Sequence, residues 1–279
     1  MWTELVDLHC HSRHSDGVHT PTEMAKRAYD SGVRVWSLTD HDTNTGWAEA
    51  QSACEKLGMR FIPGVEITCE VEITSDKENP SSWHLLAYFP DGASDEFSEW
   101  LVGLKEARLP RMKLMLEAMK ELGHDIPIED VEKFADGALG RPHLARAMIE
   151  HGIVETVSQA FDEYIGNGAP AFRERPLPTI SEAVQMVHQS GGITSLAHPL
   201  YYGISNEILI PRLLKLGVDC IEAIHNSHSD SYRYELMQQG MPISVGGDSH
   251  GTENRPSPGK ICAPIKHLHP CFRPDFVPK

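Results

Sequence analysis

The feature that most limits the folds open to this chain is a repeated unit. A helical stretch ends at glycine, a short β-branched run follows, and the run ends in a histidine or an acid. After Gly32 comes "VRVWSLTDHD", after Gly58 "MRFIPGVE", after Gly192 "ITSLAHP", after Gly217 "VDCIEAIHN" and after Gly240 "MPISVGGDSH". Glycine just past a helix supplies the left-handed residue that stops it. Helix starts are marked as well: "TPTE" at Thr20–Glu23 and "TISE" at Thr179–Glu182 read as capping boxes, the first with proline in its first turn. Strands alternating with helices predict an α/β fold with a parallel sheet. The polar residues fall at strand ends, where barrels and open α/β sheets build their sites. Five or more such ends aimed at one point predict a closed or nearly closed barrel.

Residues 99–176 break the pattern. "WLVGLKEARLPRMKLMLEAMKELG" and "RPHLARAMIEHGIVETVSQAFDEYIG" have helical apolar periodicity and few β-branched runs. The expected organisation is a first barrel part (1–98), a helical insertion or lid (99–176), and a second barrel part with a C-terminal tail (177–279). The Pro-rich tail "HLHPCFRPDFVPK" is expected to wrap the surface.

Composition excludes several classes. No apolar run reaches the roughly 18 residues of a membrane span, and "MWTELVDLHCH" lacks a basic stretch followed by an apolar one, so a cytoplasmic protein without membrane partners is expected. The six scattered cysteines form no CxxC pair and read as reduced thiols. A formal charge of −15 argues against broad binding to nucleic acid. A single anionic substrate in a locally cationic pocket stays open, and bound metal ions create such pockets.

"DLHCHSRHSDG", Asp7 to Gly17, is dense in ligand-type side chains. In a strand, alternate residues share a face, so Leu5, Asp7, His9 and His11 point one way and Val6, Leu8 and Cys10 the other. His9 and His11 can then reach one cation together, with Asp7 placed to accept the second ring N–H of a ligand histidine. Other strand ends add Asp16, His41, Glu66, His84, His198, Asp248 and His250. Six histidines and three carboxylates exceed what one metal uses. A mixed nitrogen and oxygen set suits zinc, manganese or iron over calcium or magnesium, and two or three such divalent ions, with Glu66 as a bridge, account for all nine.

In order along the chain, "DLHCHSRHSDG", "LTDHD", "GVE", "HLLAY", "AHP" and "GDSH" resemble the motifs of the PHP (polymerase and histidinol phosphatase) family of metal-dependent phosphoesterases. The resemblance implies a distorted (β/α)7 barrel with a helical insertion domain and a trinuclear site at the C-terminal ends of the strands. It implies one metal on His9, His11, Glu66 and Asp248, a second on Glu66, His84 and His198, and a third on Asp16, His41 and His250. The insertion before "AHP" resembles the branch that hydrolyses nucleoside 3′,5′-bisphosphates and in some cases trims short RNAs from the 5′ end. The chemistry implied is metal-assisted hydrolysis, in which the ions activate water and offset charge on the phosphoryl oxygens. "GRPHLAR" resembles the branch's substrate-contacting segment, which would put Arg141 on a second phosphate and His143 near the scissile one, with a plain helix N-terminus opening at Pro142 as the alternative. Arg13, between ligands in the sequence, reads either as a phosphate contact or as half of a surface salt bridge. Where that branch places an arginine after "AHP", this chain has "LYYG", and Tyr201 or Tyr202 can stack on a base.

Other residues read as bystanders. Glu222 is expected as a buried partner inside the barrel, and His225 and His228 as neighbours of the site. Arg108 and Arg111 in "EARLPR" read as a solvated helix face, with a basic lip over the pocket as the alternative. Two further functions use the same cluster: histidinol-phosphate phosphatase, and a non-catalytic PHP module like those fused to some replicative polymerases. An amidohydrolase on a similar barrel would carry a lysine bridging its metals, and no strand here ends in one.

Overall fold

Residues 1–70, 82–252 and 256–276 are described in the computed structural model. β1 (Trp2–Thr3) precedes β2 (Val6–Asp7), and α1 (Pro21–Asp30) carries the chain to β3 (Val35–Trp36). After α2 (Trp47–Leu57) comes β4 (Arg60–Phe61), and β2, β3 and β4 pair in parallel in that order. Both expected capping boxes form: Thr20 and Thr179 accept from the N–H three residues on, and Glu23 and Glu182 reach back to the cap N–H. Each such cap stabilises its helix by about 1 kcal/mol. Met24, Ala28, Ala50 and Cys54 of the two helices pack with Cys10, Trp36 and Leu38.

β5 (Gly64–Cys69) and β6 (Trp83–Tyr88) open a second sheet. Then come α3 (Asp95–Glu106), α4 (Arg108–Glu121), α5 (Ile128–Glu132), α6 (Arg141–Glu150) and α7 (Val157–Ala160), which runs into a π-helical turn at Phe161–Ile165. The repeated unit resumes with α8 (Ile180–Gln189), β7 (Ile193–Leu196), α9 (Asn206–Leu216), β8 (Cys220–Ile224), α10 (Asp230–Met237) and β9 (Ile243–Val245). The sheet order is β5-β6-β7-β8-β9, while β10 (Ala263–Pro264) pairs with β1.

The expected parallel sheet needs correction, because β6 runs antiparallel to both β5 and β7. An antiparallel return needs no crossover helix, whereas a parallel one does. Strand pairing forms three separate sheets. Isolated pairs at Cys10 with Ser249 and His41 with Glu66 link the two larger ones, helped by Leu8 N–H to the Val245 carbonyl at 2.9 Å.

Phe97 and Leu101 of α3 pack on the main core with the five-stranded sheet and α8 to α10. From α4 onward the helices keep an apolar cluster of their own, around Met112, Met115, Met119, Leu144, Met148 and Ile165. The tail does more than wrap the surface. Phe272 is fully buried and meets the Tyr88 ring edge-on at 4.9 Å, and the Ile243 N–H donates to the His267 carbonyl at 3.0 Å. Its last residues, 277–279, lie outside the described residues.

Candidate metal centre

The reversal of β6 decides where its histidine lies. His84 is the second residue of that strand, so it stands at a strand's beginning and not, as expected, at its end. Antiparallel pairing brings that beginning to the rim where the parallel strands finish, opposite Thr68 of β5. The alternation along the first strand holds from Asp7 onward. Asp7, His9 and His11 are fully buried on the inner side and Leu8 and Cys10 in the apolar cores, while Leu5 is exposed.

All nine side chains converge. His9 Nε2 and His11 Nε2 lie 3.2 and 3.1 Å from Glu66 Oε2, and 3.5 and 3.2 Å from Asp248 Oδ1. The other oxygen, Glu66 Oε1, faces His84 Nδ1 at 2.9 Å and His198 Nε2 at 3.0 Å. Asp16 Oδ1 stands 3.2 Å from His250 Nε2 and 3.7 Å from His11 Nδ1, with His41 Nε2 3.8 Å from Asp16 Oδ2. His41 also turns Nδ1 to Glu66 at 3.3 Å, so by distance it belongs with Glu66 and His84 as well as with Asp16 and His250. His11 is likewise shared between two groups, which divides the ligands less cleanly than the resemblance implies.

These residues fit a group of cations on two independent grounds. Ligands about 2.0–2.1 Å from one ion, at tetrahedral or octahedral angles, sit about 3.0–3.4 Å from each other. That is the spacing seen around Glu66. Second, the buried His9 Nε2, His11 Nε2 and His41 Nδ1 face carboxylate oxygens without making a hydrogen bond. Polar ring nitrogens left so in a dry interior cost free energy unless something else satisfies them.

Their neighbours fix the ring orientations. His9 Nδ1 pairs with Glu222 Oε1 at 2.9 Å, and Glu222 Oε2 accepts the His198 backbone N–H at 2.7 Å. His250 Nδ1 pairs with the Asp248 carbonyl at 2.9 Å. In each case the hydrogen bond at Nδ1 leaves the Nε2 lone pair for a metal. The partner of the first strand's histidine is therefore Glu222, and Asp7 corrects to another task. It accepts the backbone N–H groups of Gly247 and Gly259 at 3.0 and 2.7 Å, tying down the loops beside Asp248. A Cβ at Gly246 would stand 2.1 Å from His9 Cβ and 2.8 Å from Glu222 Oε1, so only glycine lets β9 pass behind this pair.

Backbone strain gathers here too. Among the described residues the non-glycine positions with positive φ are Asp42 (52°), His198 (29°) and Asp248 (50°), two of them candidate ligands and the third next to His41. Each costs on the order of 1–3 kcal/mol, which the surrounding contacts must offset. Electrostatics agree. Burial pushes the Glu66 and Asp16 carboxyls up, but the histidines around them, led by His41 and His250 respectively, hold both well below the usual carboxylate range. His198 is pulled down to about 4 by burial, as a neutral ligand requires. His9 goes the other way, to about 10, because Glu222 and Glu66 outweigh its burial; the unshielded point at this spot is negative and calls for positive charge.

Beside the cluster opens a cavity of about 580 Å³, lined by all the candidate ligands except His9 and His11. Arg108, Arg111, Arg141 and Arg175 line the same cavity and form an arginine wall. Arg108 is buried, donating Nε and Nη2 to Asp42 at 2.9 and 2.6 Å, and Arg175 Nη2 donates to the same carboxylate at 2.5 Å. Arg175 Nη1 is buried without a hydrogen-bond partner. Arg111 and Arg141 lie over the Phe172 ring, each at 5.5 Å. Burial and the neighbouring guanidiniums draw Arg111 down to about 9 and Arg141 to about 10. Four guanidiniums line one cavity and two of them share one carboxylate, an excess of positive charge suited to an anion.

Arg108 and Arg111 thus form a wall of the pocket and not a solvated face. Arg175 escaped the sequence reading altogether. Of the expected substrate contacts, Arg141 lines the cavity and two others are placed elsewhere. Arg13 turns outward, 39% exposed, to Asp136 at 3.1 Å. His143 lies behind the cavity wall, where its Nδ1 accepts the Gly140 N–H at 2.9 Å and burial pulls it down to about 4. Tyr202 is buried against Trp83, ring centroids 4.4 Å apart, and its hydroxyl accepts the His84 N–H at 2.9 Å. Tyr201 is 54% exposed and lines the cavity beside His198. His225 and His228 are buried next to the cluster, His225 Nε2 3.7 Å from Asp248 Oδ2.

Known proteins carry the same arrangement of sequence. A 5′-3′ exoribonuclease of Haemophilus influenzae is 35% identical over 89% of this chain and 90% of its own length. A 3′,5′-nucleoside bisphosphate phosphatase of Chromobacterium violaceum is 30% identical over 93% and 94%. Among solved structures, one described as a Chromobacterium violaceum amidohydrolase with bound sulfate superposes with a TM-score of 0.81, at 27% identity over 97% of this chain and 94% of that one. One described as a metal-dependent phosphoesterase of Bifidobacterium adolescentis gives 0.79, at 28% identity over 94% and 93%. The family model for the PHP domain matches residues 7–160, and with these relatives it establishes that the chain belongs to the PHP domain family.

Proposed function

We propose that this PHP-family phosphoesterase removes phosphate from a small nucleotide, first a nucleoside 3′,5′-bisphosphate, with 5′-end trimming of short RNA as a related activity of the same site. The observation that carries this reading is a single cavity lined both by the histidine and carboxylate cluster and by four arginines. A substrate with one phosphate at each end matches both. Relatives named for both activities support it.

His9, His11, Asp16, His41, Glu66, His84, His198, Asp248 and His250 would hold two or three manganese, zinc or iron ions, which when bound supply Lewis acidity and water of lowered pKa. Glu222 keeps His9 turned inward, and Arg146 Nη2 holds the Asp16 loop through its carbonyl at 2.6 Å. Arg175 Nη1 and the forks of Arg111 and Arg141 hold the non-reacting phosphate. Tyr201 offers its ring to the base. The distorted (β/α)7 barrel belongs to the same proposal, with the bridges at Cys10 and His41 as its seams. Cytoplasmic residence belongs to the same proposal, supported by a sequence whose scattered cysteines form no CxxC pair. Among the described residues no helix is long and apolar enough to cross a membrane.

Histidinol phosphate carries a cationic amine, which four arginines would repel. No lysine lines the cavity among the described residues, so nothing there supports a lysine-bridged amidohydrolase site. Protein loaded with manganese and offered adenosine 3′,5′-bisphosphate, AMP, histidinol phosphate and bis(p-nitrophenyl) phosphate should prefer the first by kcat/KM. Preference for histidinol phosphate overturns the reading, and metal binding without turnover of any of them points to a non-catalytic module.

A further inference from the structure

Asp42 is fully buried, follows His41 directly, and holds a left-handed backbone conformation at φ 52° that aspartate tolerates better than most side chains. Its backbone N–H donates to the Glu66 carbonyl at 3.1 Å. Its carboxylate accepts the Thr68 N–H at 2.7 Å and the Thr68 hydroxyl at 3.1 Å, so it is stapled to the strand that carries Glu66. The remaining acceptor capacity goes to Arg108, at the first residue of α4, and to Arg175, just after the last helix of the same excursion. One carboxylate thus grips the chain where it leaves the sheet for the inserted helices and again where it returns.

We infer that Asp42 is a positioning residue that pins both ends of the inserted segment to the strand bearing Glu66, and so sets the span between the arginine wall and the candidate metal cluster. Substrates are then sorted by the separation of their two anionic groups. This role rests on the bisphosphate reading for its substrate consequence, while the pin itself does not. The guanidinium forks of Arg108 are spent on Asp42 and on the Leu139 carbonyl, so that arginine serves as strut more than as phosphate contact. Arg175 divides its head, with Nη2 on Asp42 and Nη1 left for an anion.

The test is Asp42→Asn in the manganese-loaded protein. Asparagine is nearly the same size, but its single uncharged oxygen cannot accept from the Thr68 N–H and from both guanidiniums at once. KM for adenosine 3′,5′-bisphosphate should rise roughly ten- to hundredfold, the usual penalty for a misplaced binding group, and by far more than kcat falls. The preference over p-nitrophenyl phosphate, which lacks a second phosphate, should shrink accordingly. Hydrogen exchange at the start of α4 and around Arg175 should speed up, with metal content retained. The milder Thr68→Val, which leaves no buried charge unpaired, should move both readouts the same way by a smaller factor, and it decides the matter if the asparagine variant does not fold. A lowered KM would mean that Asp42 only competes with the substrate for the arginines, and overturns the inference. So would unchanged exchange, or equal losses on both substrates together with lost metal. Should the unmodified protein show no preference for two phosphates, the substrate reading fails and the exchange data alone judge the pin.

Discussion

The floor and the wall of the cavity are made from opposite materials in opposite ways. The floor is a dense cluster of imidazole and carboxylate on the rim of two sheets, most of its residues on a strand or just past one, with Asp16 on a loop held by Arg146. The wall is four guanidiniums from the start of α4, the start of α6 and the return segment before α8, held by a single aspartate and by aromatic rings. Strand-borne groups are placed by the backbone ladder. The arginines are placed by one another's partners, so the floor should tolerate little change and the wall should respond in degrees.

The sharpest break is at the residue both groups of histidines share. Glu66→Gln removes the one charge that faces five histidines, and kcat should fall by at least the two to three orders of magnitude that loss of a single stabilising group costs. Metal analysis of the same sample should show fewer ions per chain. If metal and rate survive, the floor is not a metal site. Next comes Glu222→Gln, which leaves every candidate ligand in place but weakens the grip on His9. A ten- to hundredfold drop in metal affinity, read by competition with a chelator, is expected. On the wall, Arg111→Lys keeps the charge and loses the fork, so KM for the bisphosphate should rise about tenfold with metal content untouched. A loss of metal there would mean that the two halves are not separable.

The smallest effect tests a residue that belongs to neither half. Burial pulls His143 down to about 4, while an unfolded chain binds that proton near 6.5. Above pH 6.5 both states are neutral and the contribution is complete. As pH falls from 6.5 toward 4, the unfolded chain takes up a proton that the folded one refuses, so stability is lost, on the order of 3 kcal/mol at most. Asparagine at 143 can still accept the Gly140 N–H but does not titrate. Thermal unfolding of His143→Asn should fall less steeply over that window than that of the unmodified protein, and equal slopes would assign the loss to other histidines.

Legibility in sequence follows the same division. The floor could be read because strands repeat every two residues and each strand announces its end with a ligand-type side chain after a β-branched run. His84 was found although β6 runs backwards, since the residue's position in the strand changes ends together with the strand. The wall could not be read. Arg108 and Arg111 sit on a helix whose sequence resembles an ordinary charged surface, and Arg175 lies in "FRERPLP", a stretch with no periodicity at all. Asp40 and Asp42 in "TDHD" are both acids without a ligand role, and the sequence does not tell that one meets serines and the other arginines. Arg13 left two readings open for the converse reason: sitting between ligands in sequence says nothing about which way a side chain turns in a loop, and here it turns to Asp136.

The two adjacent tyrosines after the "AHP" turn have unequal freedom. Tyr202 holds up the beginning of β6 through the His84 N–H and cannot be exchanged without disturbing a candidate ligand. Tyr201, one residue away, stands half in solvent with only ring contacts to lose. Position 201 is thus where the protein can acquire a new taste in leaving groups by a single substitution, while its neighbour is locked.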